Sequence, residues 1–151
     1  LRLAHVKPHG ALYNMAAREE GIAIPIVEAV KAYDPSLVIV GLSGSALERV
    51  TTEQGLRFAR EAFLDRQIHS DGSLVSRRDP NAFVPEKELV PRAIRLIRKG
   101  EVVSVEGALV PCVCDTLCLH SDTPGAARFA KVLQEALIAA GISVEPFRTE
   151  D

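Results

Sequence analysis

Leu37-Val38-Ile39-Val40-Gly41-Leu42 is an unbroken apolar run of strand length, preceded by Asp34-Pro35 and followed by Ser43-Gly44-Ser45. A strand that is apolar at every position has no polar face to offer water, so both of its faces must be covered. That requirement points to a parallel sheet flanked by helices. The remaining pattern keeps the same rhythm. Leu3 to Lys7 reads as a strand ending at Pro8-His9-Gly10. A short helical stretch from Ala11 to Glu19 follows and breaks at Gly21. The next helix runs from Pro25, placed in a first turn where its missing N–H costs nothing, to Tyr33. Ser45 suits the N-cap of a helix reaching Glu53, and Arg57 to Phe63 reads as a third strand.

Leu64 to Pro85 is polar, carries the turn signal Asp71-Gly72 and predicts no long element. An irregular segment of that length inside a domain is usually a functional loop or a disordered one. A helix from Glu86 to Lys99 follows, with Gly100 as its C′ residue. Val102 to Val105 and Ala108 to Val113 suggest a hairpin around Glu106-Gly107, and Thr116 to His120 another strand. Thr123 and Pro124 suit the N-cap and first position of a last helix, which Gly141 ends before a short strand from Ile142 to Val144. The fold class expected is a single α/β domain with a mainly parallel sheet.

Composition narrows the functions. With 47% hydrophobic and 25% charged residues the chain is not disordered. A net charge of −2 without a Lys/Arg block speaks against nucleic-acid binding, and no apolar run is long enough for a membrane span. Cys112, Cys114 and Cys118 are an odd set, which argues against a disulfide scaffold and for a reducing cytoplasm. On one strand, same-face neighbours stand ~6.6 Å apart, too far to converge with His120 on a zinc ion.

In parallel α/β folds, ligands bind at the carboxyl ends of the strands. Those ends carry Lys7-Pro8-His9-Gly10, Gly41 to Ser45, Glu61 to Arg66, and His120-Ser121-Asp122-Thr123. Lys, His, Glu, Asp and Arg gathered there form a catalytic inventory rather than a packing one. His9, Glu61, Asp65, His120 and Asp122 suit proton transfer, water activation or metal binding. Lys7, Arg66 and Arg77 suit a carboxylate or phosphate. The same positions also admit blander readings: a loop histidine, a surface ion pair, a helix cap. Gly41-Leu42-Ser43-Gly44-Ser45 lacks the final glycine of a nucleophile elbow, and there is no P-loop.

Three blocks, in order, resemble the LamB/YcsF family: Val6-Lys7-Pro8-His9-Gly10-Ala11-Leu12-Tyr13-Asn14, then Glu61-Ala62-Phe63-Leu64-Asp65-Arg66 continued by Asp71-Gly72-Ser73-Leu74-Val75 and Arg77, then Cys118-Leu119-His120-Ser121-Asp122-Thr123-Pro124-Gly125-Ala126. The resemblance implies a (β/α) barrel of the glycoside hydrolase/deacetylase type. It implies a cytoplasmic enzyme that opens the lactam ring of 5-oxo-L-proline to L-glutamate. ATP, with magnesium, is the expected co-substrate, no tightly bound organic cofactor is expected, and other 5-oxoprolinase subunits are the expected partners. The family blocks add Gly10, Tyr13, Asn14 and Thr123 to the substrate-binding positions. A homo-oligomer stays open beside these partners, as does the identity of any bound metal. Two further readings stay open too: a metal-dependent amidohydrolase or carbohydrate deacetylase of the same fold, and a non-catalytic binding subunit.

Ser121 replaces the glycine usual after the histidine, and Leu64 replaces an alanine. The family's acidic Asp-Leu-Asn-x-Asp-x-Gly-Glu and His-Ala-Gly-Asp stretches do not occur in this sequence. The opening at Leu1 on a strand pattern therefore carries the expectation that these residues form the C-terminal part of a larger barrel, with an open or foreign-filled edge at the first strand.

Overall fold

The structure is a computed structural model that describes residues 3–121 and 125–147. The described residues fall into two compact units, 3–61 with Pro146 and Phe147, and Ala62–Glu145.

The first unit holds β1 (His5–Val6), α1 (Gly10–Ala16), α2 (Glu20–Tyr33), β2 (Val38–Leu42), α3 (Ala46–Glu53) and the first four residues of β3 (Phe58–Phe63). The strands are parallel, with Val6 opposite Ile39, Ile39 opposite Phe58 and Leu42 opposite Glu61. This is the arrangement the apolar run requires. On one side of β2, Leu37 and Ile39 pack with Ala23 and Val27 of α2 and Leu47 of α3. On the other, Val38 and Val40 are equally buried beside Ala59, with Phe147 packed against them. Full burial of each such side chain contributes ~1.5–3 kcal/mol. Gly41 permits the close approach of α3 to β3: a Cβ there would stand 2.9 Å from Phe58 Cζ and 3.0 Å from Leu47 Cδ2. Ser45 caps α3 as expected, its hydroxyl accepting from the Glu48 N–H at 3.2 Å while Glu48 accepts from the Gly44 N–H at 2.7 Å.

The helix expected to reach Glu19 ends at Ala16, and two further expectations for this unit change. The strand expected over Leu3 to Lys7 pairs only at His5 and Val6. The helix expected from Pro25 begins at Glu20, with Gly21 and Pro25 inside it. The extra turn buries Ala23 completely beside Val27. That packing, with Glu19 C=O accepting from the N–H groups of Ile22 and Ala23, outweighs the one ladder bond Pro25 cannot make.

The second unit holds the end of β3, the segment 64–85, α4 (Glu86–Lys99), β4 (Glu101–Val103), β5 (Leu109–Pro111), β6 (Thr116–Cys118) and α5 (Ala126–Ala139). Segment 64–85 has no long element, only the bridges Arg66–Phe83 and Ile68–Leu74. α4 has its expected bounds and ends at Gly100, whose φ of +62° places it in the left-handed region that suits a glycine C-cap. β4 and β5 are antiparallel, as the hairpin reading expects. Leu89, Ala93 and Leu96 of α4 and Phe129 and Leu137 of α5 share a core with Ala62, Leu64 and Val102.

Here too an expectation fails. Ile142 to Val144 is not a strand: the Ile142 N–H turns back to the Leu137 C=O at 2.9 Å to close α5, and Val144 is exposed. The last helix spans Ala126–Ala139 with Gly125 at its N-cap, and the expected Thr123 cap and Pro124 lie outside the described residues. No helix among the described residues is long and apolar enough to cross a membrane.

Candidate active site

The first unit collects one polar group at its strand ends. Lys7, the residue after β1, donates from Nζ to Glu61 Oε1 near the end of β3. The Ser43 N–H, after β2, donates to the Glu61 C=O at 3.2 Å, so all three strand ends meet as parallel topology requires. The Glu61 side chain is only 5% exposed, against 20% for Lys7. Its second oxygen, Oε2, is buried without a hydrogen-bond partner among the described residues. Burying a carboxylate oxygen unsatisfied is costly, which makes it a candidate contact for a ligand. Tyr13 is buried on α1, with its ring 5.7 Å below the Lys7 ammonium.

The other residues of this first block stand apart from that pair. His9 is exposed and serves as the N-cap of α1 through its backbone, with no side-chain capping bond. Gly10 opens α1, and Asn14 donates from Nδ2 to the Gly10 C=O at 3.1 Å. That bond gives Asn14 a local structural role.

The second unit holds a carboxylate–imidazole pair. Asp65, two residues past β3, is 1% exposed. His120, two residues past β6, places Nδ1 at 2.9 Å from Asp65 Oδ1 and 3.1 Å from Oδ2. The His120 N–H also donates to Oδ2 at 3.0 Å. The Phe63 ring lies flat against the imidazole, with centroids 5.2 Å apart and planes 8° from parallel. The Leu64 N–H donates to the Cys118 C=O at 3.0 Å, which brings the two strand ends together. Asp65 thus fixes the ring's orientation and holds the proton on Nδ1, so Nε2 is the basic nitrogen.

Arg66 turns inward. It is buried, donates from Nη2 to the Val75 C=O at 2.6 Å and lies over the Phe83 ring, holding segment 64–85. Arg77 is exposed in that segment. Asp122 and Thr123 lie outside the described residues. Burial pushes the Cys112 thiol up despite the Arg92 charge, so it is a protonated, packed thiol. Among the described residues no group of three or more His, Cys, Asp and Glu is placed to hold a metal.

One polar cluster was not singled out from the sequence. Glu106, at the β4–β5 turn, accepts from His69 Nδ1 at 2.7 Å and from Ser70 Oγ at 2.9 Å. Its residues are 36 and 37 apart, and the sequence marks Glu106-Gly107 only as a turn. The hydrogen bond from His69, with those from Ser104 and Ser70, lowers the Glu106 pKa to about 2. A carboxylate depressed in the folded state stabilises above its unfolded pKa of ~4.3. That contribution should be lost as pH falls from there through about 2. Acid unfolding of the Glu106→Gln variant should match the native curve near pH 2 and fall below it in stability near neutrality. Curves that differ equally at every pH would contradict this.

The LamB/YcsF family profile matches residues 1–151. The chain belongs to the LamB/YcsF family. It is 48% identical over 150 residues to the 5-oxoprolinase A subunit of Geobacillus kaustophilus, covering 99% of this chain and 59% of that relative. It is 44% identical to the 5-oxoprolinase A subunit of Syntrophobacter fumaroxidans, covering 95% of this chain and 57% of that relative. The crystal structure of a lactam utilization protein from Thermus thermophilus superposes with a TM-score of 0.88 at 40% identity, covering 97% of this chain and 59% of that one. This LamB/YcsF chain therefore spans under two thirds of the length of these relatives.

Proposed function

We propose that this LamB/YcsF chain acts within the A subunit of an ATP-dependent 5-oxoprolinase, together with that enzyme's other subunits in the cytoplasm. The names of its relatives support the reaction class, and their likeness over nearly the whole chain supports a (β/α) barrel of the glycoside hydrolase/deacetylase type as the family's fold. The observation that carries the mechanism is the buried Asp65 holding His120 by Nδ1.

An unactivated lactam is a poor electrophile, because amide resonance must be lost on attack. ATP transfers its γ-phosphoryl group to the lactam oxygen and ADP leaves. Water then adds to the activated carbon, the C–N bond breaks, and the ring nitrogen takes a proton, giving an acyl phosphate. A second water converts this to the glutamate carboxylate and inorganic phosphate. His120 Nε2 takes the proton of the attacking water and returns one to the departing nitrogen, as a general base and then acid. The imidazolium formed in between is stabilised by Asp65. Within the first unit, taken by itself, the Lys7 ammonium suits a carboxylate or phosphoryl oxygen, and the buried Glu61 Oε2 suits a hydrogen-bond donor.

The test is glutamate release from 5-oxo-L-proline by the chain with the other subunits present. Release that needs both ATP and those subunits is expected. Release without ATP that a chelator abolishes would replace this reading with the metal-dependent amidohydrolase one. The absence of turnover with every combination of subunits would leave only a binding role.

A further inference from the structure

Arg92 lies on α4, outside every motif singled out from the sequence. Its guanidinium is part-buried and faces three main-chain carbonyls. Nε donates to the Phe63 C=O at 3.4 Å, Nη2 to the Arg66 C=O at 3.1 Å, and Nη1 to the Val103 C=O at 3.4 Å. Phe63 and Arg66 bracket Asp65 in the chain. Phe63 is also the ring that lies against His120. One rigid fork therefore grips the backbone on both sides of Asp65, one of the gripped carbonyls belonging to the residue whose ring lies against the imidazole.

We propose that Arg92 is a positioning residue for the Asp65–His120 pair, acting through the main chain of residues 63–66; this inference rests on the mechanism proposed above. Main-chain carbonyls at a buried strand end need donors. That of Asp65 accepts from the Val84 N–H at 3.1 Å, and those of Phe63 and Arg66 accept from the Arg92 guanidinium. Arg92 supplies its donors from α4, an element anchored in the core by Leu89, Ala93 and Leu96. It also reaches β4, tying the turn to a third element. Only a guanidinium offers donors in a planar fork; an ammonium on a lysine stem reaches one carbonyl as a point charge. The charged neighbour is Glu88 on the same helix, with the half-buried Cys112 thiol nearby. Burial lowers the Arg92 pKa to about 10, so the group is desolvated yet still charged at neutral pH. Burying a cation against neutral carbonyls is costly, and a surface arginine would avoid that cost. Fixing a catalytic pair within a fraction of an ångström is a reason to bear it.

The experiment compares Arg92→Met and Arg92→Lys with the native chain, in complex with the other subunits. Three readouts are taken: kcat and KM per folded molecule, the pH profile of kcat, and the ¹⁵N resonances of the His120 ring. Arg92→Met should lower kcat about tenfold to a hundredfold with KM nearly unchanged, as misplacement of a catalytic group does. The pH profile of kcat should change shape, and the Nδ1–H signature should broaden or vanish. Arg92→Lys should recover part of the kcat and of the signature. A purely structural role predicts lower thermal stability with native kcat, pH profile and ring resonances in the folded fraction; that result overturns the proposal. Should Arg92→Met not fold, Arg92→Lys decides alone: a native His120 spectrum and native kcat overturn the proposal. If His120→Ala retains native turnover, the proposed mechanism fails, while the ring resonances still report whether Arg92 orders the pair.

Discussion

Replacing Asp65 with Asn should leave the fold standing and lower kcat by ~10²–10⁴, with little change in KM. The two side chains have nearly the same shape, so the packing around this 1% exposed position survives. The hydrogen bonding does not. Asp65 accepts from both His120 Nδ1 and the His120 backbone N–H, using both carboxylate oxygens. Asn offers one acceptor oxygen and one NH₂ group. With its oxygen on the backbone N–H, its NH₂ faces Nδ1, which then has to accept. The ring proton moves to Nε2, the nitrogen that must take a proton from water, and the stabilising negative charge is lost as well. Steady-state kinetics of the variant in the assembled enzyme reads this out. A drop in kcat/KM through KM alone would assign Asp65 to substrate binding instead.

The second large effect is on stability. Lys7→Met should destabilise the chain by ~3 kcal/mol, because it strands the Glu61 carboxylate in a buried site. Glu61 is almost entirely enclosed, and its other oxygen already lacks a partner among the described residues. The double variant Lys7→Met/Glu61→Gln should recover most of that loss, since an amide needs no counter-charge. Denaturant unfolding of the two single variants and the double variant forms the cycle. Equal losses that simply add would show that the two side chains do not depend on each other.

The positions of β2 and α4 were legible because burial acts there on a continuous or periodic apolar pattern. Leu37 to Leu42 is apolar at each position because both faces of β2 are covered, and Leu89, Ala93 and Leu96 recur at helical spacing. The start of α2 was not legible. Gly21 and Pro25 are local breakers, and only the tertiary burial of Ala23 decides for the longer helix. Ile142 to Val144 has strand composition but no ladder to join, so its first N–H closes α5 instead.

At the site, parallel topology correctly anticipated that Lys7 and Glu61, far apart in sequence, meet at strand ends. The Asp65–His120 bond joins residues 55 positions apart, and strand-end placement anticipated both partners but not their pairing. Arg66 and Arg77 read alike as anion holders, yet Arg66 is turned into the loop by the Val75 C=O and the Phe83 ring. Arg92 left no mark in the sequence beyond its place on an amphipathic helix, since its partners are main-chain carbonyls that any residue carries.

The claim that Asp65-held His120 performs the proton transfer is tested most directly by His120→Ala in the assembled enzyme, assayed for glutamate release with and without added imidazole. The account predicts normal assembly, turnover lowered by at least ~10²-fold, and partial recovery as free imidazole enters the space left by the ring. Turnover at the native rate in the His120→Ala variant would contradict it.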